Sequence, residues 1–166
     1  MHIYVLIATN LNEDEIEKSA WVCSPEFYRI FGIDETYPHT IEGWANFIHP
    51  DFANEIVSYH ESVVKGKKIF NREYKIVRIN DGEERWVHGT GKLEYDENGN
   101  PIRMHGAIQD ITDRKQIEAK LFHQKDLMQY VIEHANSAVA VHNRDLRYIY
   151  VSDRYLEQFG IKEKNI

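Results

Sequence analysis

The sequence predicts an α+β domain built on one antiparallel sheet, then a long helix and the opening of a second, similar unit. Three observations carry that expectation. Apolar residues alternate with polar ones between Phe70 and Asp110, and Asn80-Asp81-Gly82 and Asn98-Gly99 interrupt them as hairpin turns do. Upstream, Phe52, Ile56, Tyr59 and Val63 step by four, three and four, which makes one helical face. Finally, SPEFYRIFGI at Ser24 returns as SDRYLEQFGI at Ser152, so a unit begins twice.

The elements follow in order. Ile3 to Leu11 is rich in β-branched and aromatic residues and reads as a strand, with a turn at Asn12–Glu15 and a second strand from Ile16 to Val22. Ser24-Pro25-Glu26 opens a helix, with Ser as cap and Pro in the first turn, and Gly32 closes it. Helical pieces are expected over Ile41–Ile48 and from Asp51 to about Lys65. Three strands follow: Phe70–Ile79, Glu84–Tyr95 and Pro101–Asp110. On the last, Ile102, Met104, Gly106 and Ile108 share a face opposite Arg103, His105, Ala107 and Gln109. Val87, Gly89, Gly91 and Leu93 likewise share one face, which leaves Trp86 and His88 on the other.

After Thr112 the pattern changes. No Gly or Pro occurs from Asp113 to His134, and Ile117, Leu121, Gln124, Met128 and Val131 repeat at four, three, four and three. That is a coiled-coil seam with one polar position, too short to stand alone in water, and it predicts a parallel homodimer. A helix packed back on its own domain is the other reading. Beyond it, Ala138–His142, a turn at Asn143-Arg144-Asp145, Leu146–Val151 and the helix from Ser152 repeat the opening order. The expected organisation is therefore a full module over 1–112, a linker helix over 113–135, and the start of a second module over 136–166. The second unit lacks the three-stranded half, so the chain reads as a piece of a longer protein; a symmetry mate or a swapped strand could pair with it, and failing that Val139, Val141, Ile149 and Val151 would leave it loosely ordered.

Composition bounds the function. With 166 residues, 42% hydrophobic, the chain can build one domain with a remainder. A formal net charge of -7 argues against a nucleic-acid surface, and the one basic cluster, Lys65–Lys68, reads as a solvated turn. No apolar run is long enough to span a membrane. Cys23 is the single cysteine, which excludes an internal disulfide and suits a reducing, cytoplasmic setting.

SPEFYRIFGID, REYKIVRINDGEERWVHGTGKLEYDENGNPIRMHGAIQDITDRKQIE and the order of elements resemble a PAS sensory domain with its C-terminal PAC motif. The resemblance covers Ile3 to Arg114, and Ser137–Ile166 resembles the first half of a second PAS domain. It implies a five-stranded sheet in the order 2-1-5-4-3 with short helices covering one face. It also implies sensing rather than catalysis, with downstream signalling domains, a homodimer, and Asp110, Ile111 and Thr112 as the junction where strand becomes signalling helix. Asp and Thr suit such a place, because both hydrogen-bond readily at a helix start. By the same resemblance the output is a sensor histidine kinase of a two-component system, with a diguanylate cyclase or transcription regulator as alternatives.

No catalytic or metal site emerges from the residues. The nine histidines lack metal-binding spacing. His60 stands near where some PAS domains hold a haem ligand, without a second supporting feature. Cys23 lacks the Asn-Cys-Arg setting that covalent flavin chemistry needs, so haem and flavin are disfavoured. Ser24 and Ser152 read as helix caps rather than nucleophiles. A cavity between helices and sheet, lined by Tyr28, Trp44, Phe47, Tyr59, His60 and Tyr74, could hold an unknown small molecule. A filled core is the alternative. Gly89 and Gly91 either relieve crowding in a curved strand or leave room for such a ligand. Trp86, with His88 beside it, marks the outer sheet face as a contact surface for the linker helix or a partner.

Overall fold

The computed structural model describes residues 3–8, 20–99 and 101–161. The turn at 12–15, the first four residues of the expected second strand and the last five residues of the chain lie outside them, as does the facing of Ile102. The chain divides into two compact units, Met1–Lys115 and Gln116–Ile166.

In the first unit, β1 (Ile3–Ala8), β2 (Ala20–Cys23), α1 (Pro25–Phe31), α2 (Ile41–Ala45), α3 (Pro50–Gly66), β3 (Phe70–Val77), β4 (Glu84–Tyr95) and β5 (Pro101–Asp110) lead into α4 (Thr112–Glu133). The five strands form one antiparallel sheet in the order β2-β1-β5-β4-β3. The alternation read from the sequence sets which face is inside. Tyr74, Ile76, Val87, Leu93, Met104 and Ile108 are buried with Phe27, Phe31, Phe47, Ile56 and Val63 of the helical layer. Removing a buried aromatic from such a core costs about 3–5 kcal/mol, because the cavity relaxes only in part.

The helices were legible to different degrees. α3 buries Ile56 and Val63 and half-buries Phe52 and Tyr59, the face expected from their spacing. α2 ends at Ala45 instead of continuing to Ile48. Phe47 and Ile48 leave the helix to extend the sheet edge: the Val77 amide donates to the Phe47 carbonyl at 2.7 Å, and Ile48 bridges Ile76. Just past the same end of the strand, the Ile79 amide donates to the Phe31 carbonyl, so β3 stops at Val77 rather than Ile79.

The second unit contains most of α4, a hairpin of β6 (Ala140–His142) and β7 (Tyr148–Val151), and α5 (Asp153–Phe159). Both strands are shorter than expected. In β7 the turn takes up the difference, because the Asn143 side chain accepts from the Asp145 and Arg147 amides, both at 2.9 Å, whereas β6 is short at its start, next to Val139. Ser152 caps α5, accepting from the Tyr155 amide at 3.2 Å and the Val139 amide at 3.0 Å. Ser24 does not act as expected: it occupies the cap position of α1 without a side-chain bond, and its hydroxyl is buried without a partner. The Phe27 amide it would have capped goes to the Ser24 carbonyl at 2.9 Å.

Candidate functional site

Two places in the first unit gather the residues singled out by the sequence. One lies beneath the sheet. Phe70 reaches in from β3 and is ringed by Tyr59 at 5.2 Å, His60 at 6.4 Å and Tyr74 at 6.4 Å, with Trp44 beside His60 at 5.4 Å, all between ring centroids. Burial pushes the His60 imidazole below its ordinary value, since a charge there would lose its water. Tyr74 is fully buried and its phenol is pushed up to about 12, chiefly by burial. The Trp44 indole biases that titration, yet it is not placed to complete a hydrogen bond with the hydroxyl, which has no partner.

The other cavity candidates lie elsewhere. Phe47 stacks with Phe31 at 4.6 Å and Tyr37 at 4.9 Å in the aromatic heart of the core. Tyr28 stacks on His39 at 5.9 Å and lines an open depression of about 730 Å³ with Arg29, Tyr37 and Arg78. Its hydrogen bond to the Cys23 thiol is the main reason its own titration rises to about 12. The glycines on the inner face of β4 are covered by side chains. A Cβ at Gly89 would meet Phe70 Cε1 at 3.0 Å and Ile108 Cδ1 at 3.2 Å, and one at Gly91 would meet Met104 Sδ at 3.2 Å.

The second place is the junction between β5 and α4. The Asp110 carboxylate accepts from the Thr112 hydroxyl at 2.6 Å and the Thr112 amide at 2.9 Å, while its other oxygen takes Arg85 at 2.9 Å. The Thr112 hydroxyl also accepts from the Trp86 amide at 3.0 Å, and the Ile111 amide donates to the Trp86 carbonyl at 2.8 Å. Ile111 is itself buried. One residue of β4 thus holds both backbone and side chain of the helix start. Sequence adjacency made Asp110 and Thr112 visible, but register supplied Arg85 and Trp86, because β4 and β5 pair Val87 with Asp110.

The outer face adds ion pairs that the sequence reading missed. Glu73 receives Arg114 and Lys115 at 2.7 and 2.8 Å. Hydrogen bonds from Lys115 first, then Arg114, hold the Glu73 carboxyl at about 2. Trp86 is half-buried, with Phe52 edge-on at 5.3 Å and the Lys115 ammonium 5.3 Å from its ring. His88 meets Asn71 at 2.6 Å. The available signal was the alternation in Arg72-Glu73-Tyr74-Lys75, which sends Glu73 away from the core beside Tyr74. On α4, Ile117, Leu121, Met128 and Val131 are 52–61% exposed, and Gln124 is exposed with them. Among the described residues, no group of three His, Cys, Asp or Glu is placed to hold a metal ion, and no helix is long and apolar enough to cross a membrane.

Sheet order, helical layer and a strand-to-helix junction together define a sensory α+β module. A family model for the PAS fold matches residues 20–108, more than half of the chain, and the chain belongs to that family. Residues 20–108 are a PAS sensory domain, a module of signal transduction; such domains are sensory rather than catalytic. A sensory box histidine kinase/response regulator from Burkholderia thailandensis has a similar structure, with 24% identity and a TM-score of 0.60, covering 78% of this chain and 91% of that one. The N-terminal domain of a diguanylate cyclase with PAS/PAC sensor from Marinobacter aquaeolei is 17% identical, TM-score 0.60, covering 69% and 99%. A PAS domain from Colwellia psychrerythraea is 17% identical, TM-score 0.53, covering 66% and 87%. At these identities the likeness is one of fold. No curated protein matches the chain in sequence.

Proposed function

We propose that the chain is the cytoplasmic sensory segment of a multidomain signalling protein, with a sensor histidine kinase of a two-component phosphorelay as its output. A small molecule or partner acting on the first unit changes the packing against β4. The Trp86 backbone moves with it, and Asp110–Thr112 passes the change to α4. Two copies pair through the Ile117–Val131 seam, so both helices respond together. Such a relay requires two states that the signal binds unequally. The observation that carries the reading is the Thr112 hydroxyl, which fastens the helix start to Trp86 and Asp110 at once. A diguanylate cyclase or transcription regulator in the output position would use the same relay.

A constitutive dimerisation module without ligand is the second reading, favoured by the side chains that cover Gly89 and Gly91. Hydrogen exchange on Gly89→Ala separates the two. The added methyl presses on Phe70 and Ile108, three residues along β4 from Trp86. The relay reading expects several-fold faster exchange at the Ile111 and Thr112 amides. A disturbance confined to the core amides would sink the relay and leave the constitutive module. A native mass spectrum of the purified chain complements this: mass beyond the bare polypeptide supports a bound signal molecule.

A further inference from the structure

Arg78 stands where two features meet, an open depression and a line of alternating charge. The depression, about 730 Å³, opens where the end of α1 meets the residues that follow β3. Its apolar walls are fixed in place. Tyr37 stacks on Phe47 and donates its hydroxyl to the Gly43 carbonyl at 3.0 Å, and Tyr28 stacks on His39. Ile79 adds apolar surface that is 49% exposed. Among the described residues of the lining, Arg29 and Arg78 carry positive charge and Asp34 carries negative charge. Asp34 is occupied in part, since its Oδ1 accepts from the Thr36 amide at 2.9 Å and the Thr36 hydroxyl at 2.5 Å.

The Arg78 side chain is 13% exposed and its fork is incompletely used. Nη1 donates to Asp81 at 2.5 Å and Glu83 at 3.2 Å, and Nη2 donates to the Arg29 carbonyl at 3.3 Å, while Nε is buried without an acceptor. The edge formed by Nε and one Nη of a guanidinium matches the two oxygens of a carboxylate. The Glu83 oxygen that holds Arg78 also accepts from Arg85, at 3.3 Å from Nε and 2.9 Å from Nη2. Arg85 in turn donates from Nη1 to Asp110 at 2.9 Å. A line Arg78–Glu83–Arg85–Asp110 therefore runs from the depression to the carboxylate that holds the Thr112 hydroxyl. Because Nε is covered, an incoming carboxylate meets that edge only when the fork turns toward it, and turning draws Nη1 away from Glu83. Glu83 then leans on Arg85 alone and competes harder with Asp110 for it. We propose that the depression binds a small carboxylate with a flat apolar body, and that its occupation loosens Arg85 from Asp110. Glu83 is 53% exposed, so each ion pair is weak by itself; the effect comes from exchange of partners around one shared oxygen. This deepens the relay reading given above by naming a signal class and its entry point, and rests on that reading only for the step from Asp110 to α4.

The test uses the whole chain, with sodium benzoate as the probe and benzamidine, the same ring with the opposite charge, as its counterpart. Both are titrated at constant ionic strength and followed by NMR of the amide and arginine N–H groups. Benzoate is expected to give saturable shifts at the Arg78 Nε–H and the Ile79 and Asn80 amides, with a Kd several-fold below that of benzamidine. Arg78→Lys keeps the charge without the side-on edge and should weaken benzoate about tenfold. No saturable shift with benzoate, or equal shifts with the two probes, would overturn the site. Undiminished binding to Arg78→Lys would overturn the part given to Arg78. The Thr112 amide reads the rest: it should move with the same Kd in the intact chain and stay still in Glu83→Ala, which still binds benzoate. Binding with a silent Thr112 amide in the intact chain would overturn the line of charge and leave the site standing. Gly89→Ala perturbs the core rather than these residues, so the relay through Trp86 and the site at Arg78 stand or fall separately.

Discussion

α1 and α5 are the same helix in two different situations. Both start from Ser, both run seven residues, and both stop at a glycine in the left-handed conformation, Gly32 and Gly160, each with φ 66°. α1 buries Phe27, Ile30 and Phe31, with Phe31 at 0% exposure, whereas α5 buries nothing and its Phe159 is 58% exposed. The caps are reversed: Ser152 makes its bonds and Ser24 makes none. Local signals decide where such a helix begins and ends. What it is worth to the fold depends on the sheet it packs against, and only the first unit has β3, β4 and β5.

The comparison can be broken most forcefully at its aromatic anchors. Phe31→Ala should destabilise the first unit by about 3–5 kcal/mol in urea titration, while Phe159→Ala should change stability by no more than about 0.5 kcal/mol. Equal effects would mean that α5 has a core of its own. Gly106→Ala comes next, because a Cβ there overlaps the Thr90 carbonyl oxygen of the neighbouring strand, and backbone cannot swing aside. Its expected cost is about 2–3 kcal/mol, read in the same titration.

The caps sharpen the comparison with a smaller effect of opposite pattern. Ser152→Ala should lower the stability of the second unit by about 1 kcal/mol, read as faster exchange at the Tyr155 amide. Ser24→Ala removes a buried hydroxyl that bonds nothing, so it should be neutral or slightly stabilising. A loss at Ser24 equal to that at Ser152 would refute the assignment.

The smallest effects concern how α4 is held by each unit, and pH separates them. Glu73, held at about 2 by Lys115 and Arg114, has a folded value below its unfolded one. Its contribution is therefore complete above about 4.5 and fades as pH falls toward about 2. Tyr150, whose hydroxyl donates to Glu133 at 2.5 Å, is pushed up to about 12, by burial first and then by that carboxylate. Its contribution is complete below about 10 and fades as pH rises toward about 12. Carboxyl carbon shifts of Glu73 and ultraviolet titration of Tyr150 in a background with the other tyrosines assigned would show these midpoints. Ordinary midpoints at both would remove the asymmetry.

Much of this architecture could be read from the chain, and the gaps have physical reasons. β4 and β5 carry the expected bounds because alternation, turn glycines and asparagines all agree there. α2 was overextended because Phe47 and Ile48 fit a helical pattern as well as an edge bridge, and only the position of β3 decides between them. Asp110 and Thr112 were visible as neighbours, while Arg85, Trp86 and Glu73 reach the junction through strand pairing that no local spacing encodes. Aromatic content suggested one lined cavity; side-chain direction instead placed Tyr59, His60 and Tyr74 around Phe70 with Trp44 against His60, Phe47 among other phenylalanines, and Tyr28 on an open depression.

The short bridge between Ile48 and Ile76 has an effect out of proportion to its size. β3 is the last strand of its sheet, and a bare last strand offers its amides to any other extended chain. Here the Val77 amide and the Lys75 carbonyl are already taken by Phe47 and His49, at 2.7 and 3.0 Å. Nearer the strand start, the Asn71 amide meets the Tyr59 hydroxyl at 3.4 Å, and Arg72 lies over the Tyr59 ring. Residues 47–49 and Tyr59 of α3 thereby occupy part of this rim, which leaves fewer backbone groups for a neighbouring extended chain to pair with.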